Sequence, residues 1–536
     1  MRAEAGGFEV TATGAGLVAA AEPVLAAAAD LPAALVAKDA SLWGADAAAL
    51  AGVRLGRLDV VATGRTLVPQ VLALRDELAT EGVDRVVLCG MGGSSLAPEV
   101  VCADAGVALV VVDTTDPGQV RAALVELERT VVVVSSKSGG TLETDSHRRA
   151  ARAAFEAAGI DPARRLVVVT DPGSPFEQAA HDEGTRAVFL ADPDVGGRYS
   201  ALTAFGLVPA GLAGVDVAGL LEQAAALEPS LASSQDNPAL LLGALLGGGA
   251  VGGRDKLVLA SQVPGFGDWA EQLVAESTGK LGLGLLPVVV EGPEAPGTEP
   301  ATDSLLVLVG DQAVPTARDA APRASVRGPL GAQFLAWEYA TAVAGWALRI
   351  NPFDQPNVQE SKDNTGAILD GDPVAVTAPL FVEGGVEVHA TGDLLGGVDD
   401  LAGALSALLH AVPERGYLAV MAYLDRSADA GAHDLRALLA RRLAHPVTFG
   451  WAPRFLHSTG QFHKGGPQTG AFLQVTGAVL QDLEIPGRPF TFGGLQAAQA
   501  LGDLRALDQR GRPVLRLHLL DRSEGLATLL SAAAAP

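Results

Sequence analysis

The sequence is poor in cysteine, in aromatic residues and in positive charge. Cys89 and Cys102 are its only cysteines, and both lie in an apolar stretch beside a glycine-rich turn, so a disulfide framework is not expected. Aromatic residues make up 4% of the chain, so aliphatic side chains must fill the core. Lysine and arginine number 38 against 62 aspartates and glutamates, and the net charge of −24 disfavours nucleic acid and anionic lipid as partners.

Long apolar runs are also missing from the sequence. The longest, near residues 239–253, is short and broken by glycines, and the residues after Met1 lack the apolar segment of a signal peptide. We therefore expect a soluble, cytosolic protein. A chain of 536 residues exceeds what one hydrophobic core usually serves, so two globular domains are expected, with three as the alternative.

Short β-branched runs alternate with turn residues and with helix-like segments of Ala and Leu, which is typical of α/β folds with parallel sheets and crossover helices. A first series predicts one doubly wound domain over residues 56–235, with strands at 85–89, 108–112, 130–134, 166–169 and 187–190. A second series predicts another domain over residues 236–480, with strands at 256–260, 286–290, 305–309, 417–422 and 472–475. Residues 1–55 are assigned to an N-terminal helical segment and residues 481–536 to a C-terminal segment.

A glycine-rich turn, Gly-Met-Gly-Gly-Ser-Ser over residues 90–95, follows the first predicted strand and precedes a helix predicted from Leu96. Small residues there let backbone N–H groups and hydroxyls approach an anion at the helix N-terminus. No lysine follows the glycines, which disfavours a Walker-type nucleotide loop, and the spacing of a dinucleotide motif is not met. A tight turn that simply needs small residues is the alternative interpretation.

A second turn of this kind reads Ser-Ser-Lys-Ser-Gly-Gly-Thr-Leu-Glu-Thr over residues 135–144 and follows a run of valines. Its hydroxyls and glycines, placed at the carboxyl end of a parallel strand, can donate to phosphate oxygens without many cations. Two such turns from one sheet favour a phosphate site over a purely structural role.

Residues 268–280 predict a helix that stops at Gly279. Gln272 and Glu276 are four residues apart and share one face of that helix. A carboxylate beside an amide suits a general base with a neighbour that binds a hydroxyl. Taken without its context, a solvated glutamate would be the simpler interpretation.

Five segments, in this order, resemble the phosphoglucose isomerase family. They are Gly-Gly-Ser-Ser at 92–95, Ser-Lys-Ser-Gly-Gly-Thr at 136–141, Gly-Gly-Arg-Tyr-Ser at 196–200, Glu-Ser-Thr-Gly-Lys at 276–280 and Asn-Pro-Phe-Asp-Gln-Pro at 351–356. The resemblance spans roughly residues 85–365, and the remaining C-terminal part is similar to the isomerase part of transaldolase and phosphoglucose isomerase fusions. It implies two SIS (sugar isomerase) domains, each a parallel sheet flanked by helices, and a homodimer with active sites at the subunit interface.

The resemblance also implies an activity, the interconversion of glucose 6-phosphate and fructose 6-phosphate through a cis-enediolate, with no metal or organic cofactor. Glu276 would move the proton between C2 and C1, and Arg198 would stabilise the enediolate. Lys362 matches the lysine that the family uses near the ring oxygen, although an exposed helical lysine is its simpler interpretation. The other implied substrate-binding residues are Gly93, Ser94, Ser136, Lys137, Ser138, Thr141, Gln272 and Gln355.

The histidines depart from the family pattern. The family usually carries its ring-opening histidine soon after the catalytic glutamate, whereas residues 277–388 contain none. The nearest analogue is the stretch 457–466, where His457 and His463 are candidates for acid–base work near neutral pH or are ordinary polar residues of a loop. Because family members complete their sites across a dimer, this histidine can come from the partner subunit.

Three alternatives stay open. A non-catalytic SIS protein that senses sugar phosphates would need the two turns but not Glu276, Arg198 and Lys362 together. An isomerase of broader scope, which also accepts mannose 6-phosphate, is not excluded. A metal-dependent isomerase is disfavoured, because the sequence has no tight cluster of histidine and carboxylate ligands.

Overall fold

The computed structural model describes residues 1–311, 322–371 and 378–535. The β-strands are β1 (Arg2–Ala5), β2 (Phe8–Thr13), β3 (Arg85–Gly90), β4 (Val110–Val112), β5 (Thr130–Ser135), β6 (Leu166–Thr170), β7 (Ala187–Leu190), β8 (Lys256–Ser261), β9 (Leu286–Val290), β10 (Ser304–Val309), β11 (Arg323–Arg327), β12 (Phe381–Glu383), β13 (Val386–Ala390), β14 (Tyr417–Tyr423), β15 (Val447–Trp451), β16 (Gly470–Gly477) and β17 (Val514–Leu519).

The α-helices connect and cover these strands. They are α1 (Ala15–Ala27), α2 (Leu31–Val36), α3 (Ala45–Ala51), α4 (Val60–Thr80), α5 (Leu96–Asp104), α6 (Pro117–Ala123), α7 (Leu142–Ala157), α8 (Pro175–Asp182), α9 (Ala204–Ala213), α10 (Val217–Leu227), α11 (Pro238–Val251), α12 (Phe266–Thr278), α13 (Leu330–Ala347), α14 (Pro356–Leu369), α15 (Leu401–His410), α16 (Asp434–Arg442), α17 (Thr459–Gly465), α18 (Phe492–Asp508) and α19 (Arg522–Ala534). In the part of the chain that is described, no helix has both the length and the apolar character needed to cross a membrane.

The first sheet has the strand order β4-β3-β5-β6-β7, and all of its neighbouring strands are parallel. The connection from β3 leads through α5 to β4, whereas the connection from β5 leads through α7 to β6 on the opposite side. The carboxyl ends of β3 and β5 therefore flank a point where the winding direction reverses, which is where open α/β sheets form a ligand crevice. The two predicted phosphate turns follow these two strands.

The second sheet has the order β1-β2-β11-β10-β8-β9, in which β11, β10, β8 and β9 are parallel and β1 and β2 are antiparallel. The N-terminal segment that was expected to be helical therefore contributes two strands as well as α1, α2 and α3. Along β2, Phe8, Val10 and Ala12 are buried in alternation with less buried residues, which is the period of a strand with one face on a core.

The third sheet has the order β12-β13-β17-β16-β14-β15, with β17, β16, β14 and β15 parallel. The strands predicted at residues 417–422 and 472–475 lie here, so the second predicted series is divided between two sheets. Short β-branched runs look alike whichever sheet they join, and the sequence pattern therefore did not separate them. The parallel α/β class is confirmed, whereas the domain limits 56–235 and 236–480 stay predictions.

Helix α12 is almost entirely buried and positions the candidate site. It ends at Thr278, and Gly279 follows, as predicted. Every residue of α12 except Asp268 is buried, and the helix packs against α5, α13 and α17. Because buried charged and amide side chains on such a helix must find partners, Gln272 and Glu276 are held rather than solvated.

Candidate active site

A cavity of about 710 Å³ opens at the crevice of the first sheet, between the two turns, α12 and the start of α14. The predicted residues that line it are Gly93, Ser94, Ser136, Lys137, Ser138, Thr141, Arg198, Gln272, Glu276, Gln355, Lys362 and His457. Of the residues predicted for the site, His463 is not part of this lining. The structure thus brings together groups from segments that are far apart in the sequence.

The turn after β3 touches the turn that carries Arg198. Gly92 has a φ of +54°, in the left-handed region that glycine adopts most readily. A Cβ atom on Gly93 would lie 1.9 Å from the carbonyl oxygen of Gly197, so a larger residue cannot replace glycine without moving the backbone. This close approach fixes Ser94 and Arg198 relative to each other.

The turn after β5 is shaped by its own hydroxyls. Ser136 Oγ accepts a hydrogen bond from the Gly139 N–H at 3.1 Å and donates to Thr141 Oγ1 at 3.4 Å. Ser138 Oγ accepts from the Gly140 N–H at 3.3 Å. Thr141 lines the cavity and immediately precedes α7, whose first N–H groups have no acceptor within the helix. The turn therefore presents neutral donors to an anion.

Lys137 lies at the cavity, but its ammonium group is engaged within the protein. Its Nζ forms an ion pair with Asp171 Oδ2 at 2.6 Å and donates to Val195 O at 2.9 Å. These contacts tie the turn after β5 to the loops after β6 and β7. In this structure Lys137 holds the turn in place through those loops.

Glu276 lies between an amide and a guanidinium. Gln272 Nε2 donates to Glu276 Oε2 at 3.1 Å and to His457 O at 2.9 Å. Arg198 Nη1 lies 3.2 Å from Glu276 Oε1. Arg198, Gln272 and Glu276 are 5%, 4% and 7% exposed, so water has little access to this pair of charges. The Glu276 carboxylate is therefore shielded from water, and contacts to both of its oxygens fix its orientation.

Arg198 is held in place by hydrogen bonds that its three guanidinium nitrogens donate. Nε donates to Ser277 Oγ at 2.8 Å, Nη1 donates to Gln355 Oε1 at 3.0 Å, and Nη2 donates to Pro352 O at 2.7 Å. Arg198 therefore holds the loop before α14 and positions Gln355 at the cavity. A cation held in this way needs no rearrangement when negative charge develops beside it.

Lys280, the last residue of the motif at 276–280, also takes part in the site. Its Nζ binds Asp354 Oδ1 at 2.6 Å and donates to Asn351 O at 2.8 Å. Burial, with the nearby charge of Arg198, lowers the pKa of Lys280 to about 8. Lys280 thus joins the end of α12 to the loop that carries Gln355.

His457 reaches the cavity from the chain segment before α17 and pairs with Glu143. The distance from His457 Nε2 to Glu143 Oε1 is 3.2 Å, and Gln499 Nε2 also donates to Glu143 Oε1 at 2.7 Å. Burial would raise the pKa of Glu143, but the hydrogen bond and charge of His457, with a smaller contribution from Lys362, lower it to about 2. Glu143 is therefore an anion that orients the imidazole. Neither Glu143 nor Gln499 was singled out from the sequence.

His463 lies in the core of the third sheet, which corrects the expectation that it could face the sugar. It is 3% exposed, its ring lies 5.2 Å from the ring of Phe472 and 5.8 Å from that of Tyr417, and neither ring nitrogen has a hydrogen-bond partner among the described residues. Burial holds its pKa well below the ordinary value for histidine. Helix α17 turns this side chain inward, a direction that spacing in a loop-like motif did not reveal.

A family model matches the part of the chain that carries most of these features. The family model for phosphoglucose isomerase matches residues 69–280, a segment that contains both turns, Arg198 and Glu276. Over these residues the chain is similar to phosphoglucose isomerases. Residues 281–536, including His457, lie outside the match.

Curated glucose-6-phosphate isomerases match a little over a third of the chain. The glucose-6-phosphate isomerase of Gloeothece citriformis is 36% identical over 210 residues, which are 36% of this chain and 40% of that protein. The probable glucose-6-phosphate isomerase of Haloarcula marismortui is 38% identical over 221 residues, which are 38% of this chain and 49% of that protein. The chain therefore matches less than half the length of these relatives.

Solved structures share the fold over a larger part of the chain. A hypothetical protein from Thermus thermophilus has a TM-score of 0.58 and 24% identity, and the match covers 68% of this chain and 100% of that one. A glucose-6-phosphate isomerase from Chlamydia trachomatis has a TM-score of 0.55 and 19% identity, with 69% and 90% covered. At these identities the likeness concerns the fold alone.

Proposed function

We propose that this protein interconverts glucose 6-phosphate and fructose 6-phosphate through a cis-enediolate, without a metal or an organic cofactor. The observation that carries the proposal is one cavity in which two hydroxyl-rich turns face a shielded pair, Glu276 and Arg198. Such a cavity can hold an anionic group at one end and exchange a proton at the other. The family match over residues 69–280 supports the same reaction.

The phosphate end is formed by neutral donors. We assign Ser94, Ser136, Ser138 and Thr141, with the N–H groups at the start of α7, to the phosphate of the substrate. A chain with a net charge of −24 repels anions at long range, so close and oriented donors must supply the binding energy. Because the phosphate does not react, these contacts anchor the substrate in the ground state and in the transition state alike.

The proton is transferred by Glu276. Its carboxylate would take the proton from C2 of the aldose and return it to C1 of the enediolate, so that no external proton donor is needed for this step. Gln272 holds one carboxylate oxygen in place, and its amide faces the cavity, where substrate hydroxyls would lie. The guanidinium of Arg198 offsets the charge of the enediolate oxygens, an effect strengthened by the low exposure of the site.

Ring opening is assigned to His457 together with Lys362. Both side chains line the cavity, and the anionic Glu143 orients the imidazole. A positioned imidazole can move a proton between the ring oxygen and the C1 hydroxyl.

We further propose that the protein acts in the cytoplasm as a homodimer, the assembly that the resemblance to the family implies.

A coupled assay tests the reaction and its independence of metal together. Formation of glucose 6-phosphate from fructose 6-phosphate should be rapid and should be unchanged after treatment with a chelator. Mannose 6-phosphate, offered as an alternative substrate, would define the scope. Binding of fructose 6-phosphate without turnover would instead identify a non-catalytic sugar-phosphate-binding protein and reject the proposal.

A further inference from the structure

A second cavity, of about 280 Å³, lies on the third sheet beside α18. It shares no lining residue with the 710 Å³ cavity of the candidate active site. The side chains that matter for its chemistry are Tyr423, Thr476, Asp482, Gln496, Arg516 and His518. Neither the family match nor the mechanism above assigns any of them a role.

The sequence of β17 places polar groups on one face of a buried strand. Leu515, Leu517 and Leu519 point into an apolar core, whereas Arg516 and His518 alternate with them and face the opposite side. A strand inside a parallel sheet is normally apolar on both faces, because helices cover both. An arginine and a histidine on one face of β17 are therefore unusual and call for a physical explanation.

Register places further polar groups beside His518. Tyr423 on β14 pairs with Thr476 on β16, and Thr476 pairs with His518 on β17, so the three residues form one row across neighbouring parallel strands. Tyr423 is the last residue of β14, and Thr476 is the last but one of β16. The row thus lies at the carboxyl ends of the strands, the edge at which open α/β sheets bind ligands.

Three donors at this cavity lack partners among the described residues. They are the hydroxyl of Tyr423, Nε2 of Gln496 and Nε of Arg516. Tyr423 is 1% exposed and Gln496 is 4% exposed. Buried polar groups in proteins are almost always hydrogen-bonded, so three free donors around one cavity indicate a ligand that supplies acceptor atoms.

The charges around the cavity favour an anion. Arg516 supplies a cation, and His518 Nδ1 lies 2.9 Å from Thr476 Oγ1. Three carboxylates are near. Asp482 accepts hydrogen bonds from Thr491 Oγ1 at 2.6 Å and from the Gly493 N–H at 2.8 Å. Asp503, whose charge acts on Tyr423, is paired with Lys464 at 2.6 Å, and Glu387, whose charge acts on Arg516, lies 3.7 Å from His389 Nε2. Asp482 is therefore largely satisfied, and the donors of the cavity remain for the ligand.

We propose that this cavity binds a small hydroxylated anion, with a phosphate or carboxylate group on Arg516 and other acceptor atoms on Tyr423 and Gln496. The volume, near the lower end of the range of about 300–1,000 Å³ for small-molecule sites, sets the size of the ligand. The shared chemistry is that of a short phosphorylated or carboxylated polyol.

Helix α18 connects this site to the candidate active site. Gln496 lines the second cavity, and Gln499, three residues further along α18, donates to Glu143, the partner of His457. A ligand that engages Gln496 therefore acts on the helix that holds the His457–Glu143 pair. We infer that the second cavity is regulatory; this part rests on the proposed isomerase function, whereas the binding itself does not.

Calorimetric titration of the full chain tests the binding. Glycerol 3-phosphate and malate are the phosphate and carboxylate probes, each added with fructose 6-phosphate saturating the first cavity. One of them should bind with one site per chain, and Arg516→Gln should weaken it by about tenfold or more, because it removes a charged hydrogen-bond donor. Tyr423→Phe should weaken it without any change of charge. Arg152→Gln, which removes a surface cation elsewhere, is the control and should leave binding unchanged.

Two results would overturn the proposal. Absence of binding by both probes would reject the site, as would equal affinities in the parent, Arg516→Gln and Tyr423→Phe. If Arg516→Gln does not fold, Tyr423→Phe and Gln496→Leu decide, since each removes one donor. The regulatory part predicts that the bound probe changes kcat or KM of the parent but not of Arg516→Gln, and an unaffected parent rate would reject that part. If the chain has no isomerase activity, the proposed function is rejected, but the titration still tests whether the second cavity binds an anion.

Discussion

Glu143 Oε1 lies 3.2 Å from His457 Nε2, although 314 positions separate the two residues in the sequence. Glu143 lies in the first turn of α7, which follows β5, and His457 lies in the segment before α17, so the contact joins the first sheet to the C-terminal part of the chain. The cavity of the candidate active site is therefore completed by residues outside the segment that matches the family.

Replacement of Glu143 by Gln tests whether its carboxylate positions His457. The amide keeps the shape but loses the negative charge that holds His457 Nε2 at 3.2 Å. Because the pKa of Glu143 is about 2, this charge is present in the parent from pH 5 to 9. We expect kcat for the cyclic sugar to fall by about tenfold, with a smaller change in KM. Initial rates equal to those of the parent would contradict this role.

We expect opposite results when the two histidines of the C-terminal motif are replaced. His457→Asn should reduce turnover of the cyclic sugar by about 10²- to 10⁴-fold, but should reduce flux through spontaneously opened substrate less. His463→Leu should leave kcat unchanged, because that ring lies among aromatic side chains away from the cavity. Initial rates with the purified variants check both. Equal losses in the two variants would remove the basis for assigning ring opening to His457.

The hydroxyls of the turn after β5 should govern binding rather than turnover. In the double variant Ser136→Ala and Thr141→Ala, we expect KM for fructose 6-phosphate to rise by about tenfold or more, since each lost hydrogen bond costs roughly 0.5–1.5 kcal/mol. The value of kcat should change much less. Thr63→Ala on α4 is a matched control. An unchanged KM would mean that the phosphate binds elsewhere.

Glu271 makes stability depend on pH. It lies on α12 and accepts a hydrogen bond from Ser458 Oγ at 3.1 Å, and burial, with the nearby charge of Asp268, raises its pKa from 4.5 to about 8. Between these values the folded protein keeps the proton and the unfolded chain loses it. The free energy of unfolding should therefore fall as pH rises through this window, by at most about 1.4 kcal/mol per pH unit from this group, and level off above about pH 8.

Glu271→Gln removes this titration, so its stability should depend less on pH and should exceed that of the parent at pH 8. Urea unfolding at several pH values measures both quantities. Parallel curves for parent and variant would show that Glu271 does not titrate as its burial implies.

Much of the fold could be predicted because its signals are local. The β-branched runs identified β3, β5, β8 and β14 to within a residue or two, and Gly279 marked the end of α12. The division of the later strands between two sheets depends on contacts between distant segments, which periodicity does not encode. β2 was missed because Phe8, Val10 and Ala12 alternate over too short a stretch to stand out beside the Ala-rich helix that follows.

The site could be predicted where residue type and spacing determine the geometry. Gln272 and Glu276 share a helix face by their spacing alone, and the glycines of both turns follow from close backbone approach. The pairing of Glu143 with His457 and the inward direction of His463 depend on how α17 packs, which no local pattern reveals. The resemblance implies a substrate-binding role for Lys137, and its contacts with Asp171 and Val195 come from separate loops that no local pattern reveals.

The central claim is that Glu276 moves the proton, and the rate of Glu276→Gln tests it most directly. The amide preserves the contact with Gln272 but cannot accept a proton, so we predict a fall in kcat of about 10²- to 10⁴-fold with little change in substrate binding. Glu271→Gln, on the same helix, is the matched control and should keep its activity, and unfolding curves confirm that both variants are folded. A folded Glu276→Gln protein that retains about a tenth or more of the parent rate would contradict the assignment of the base.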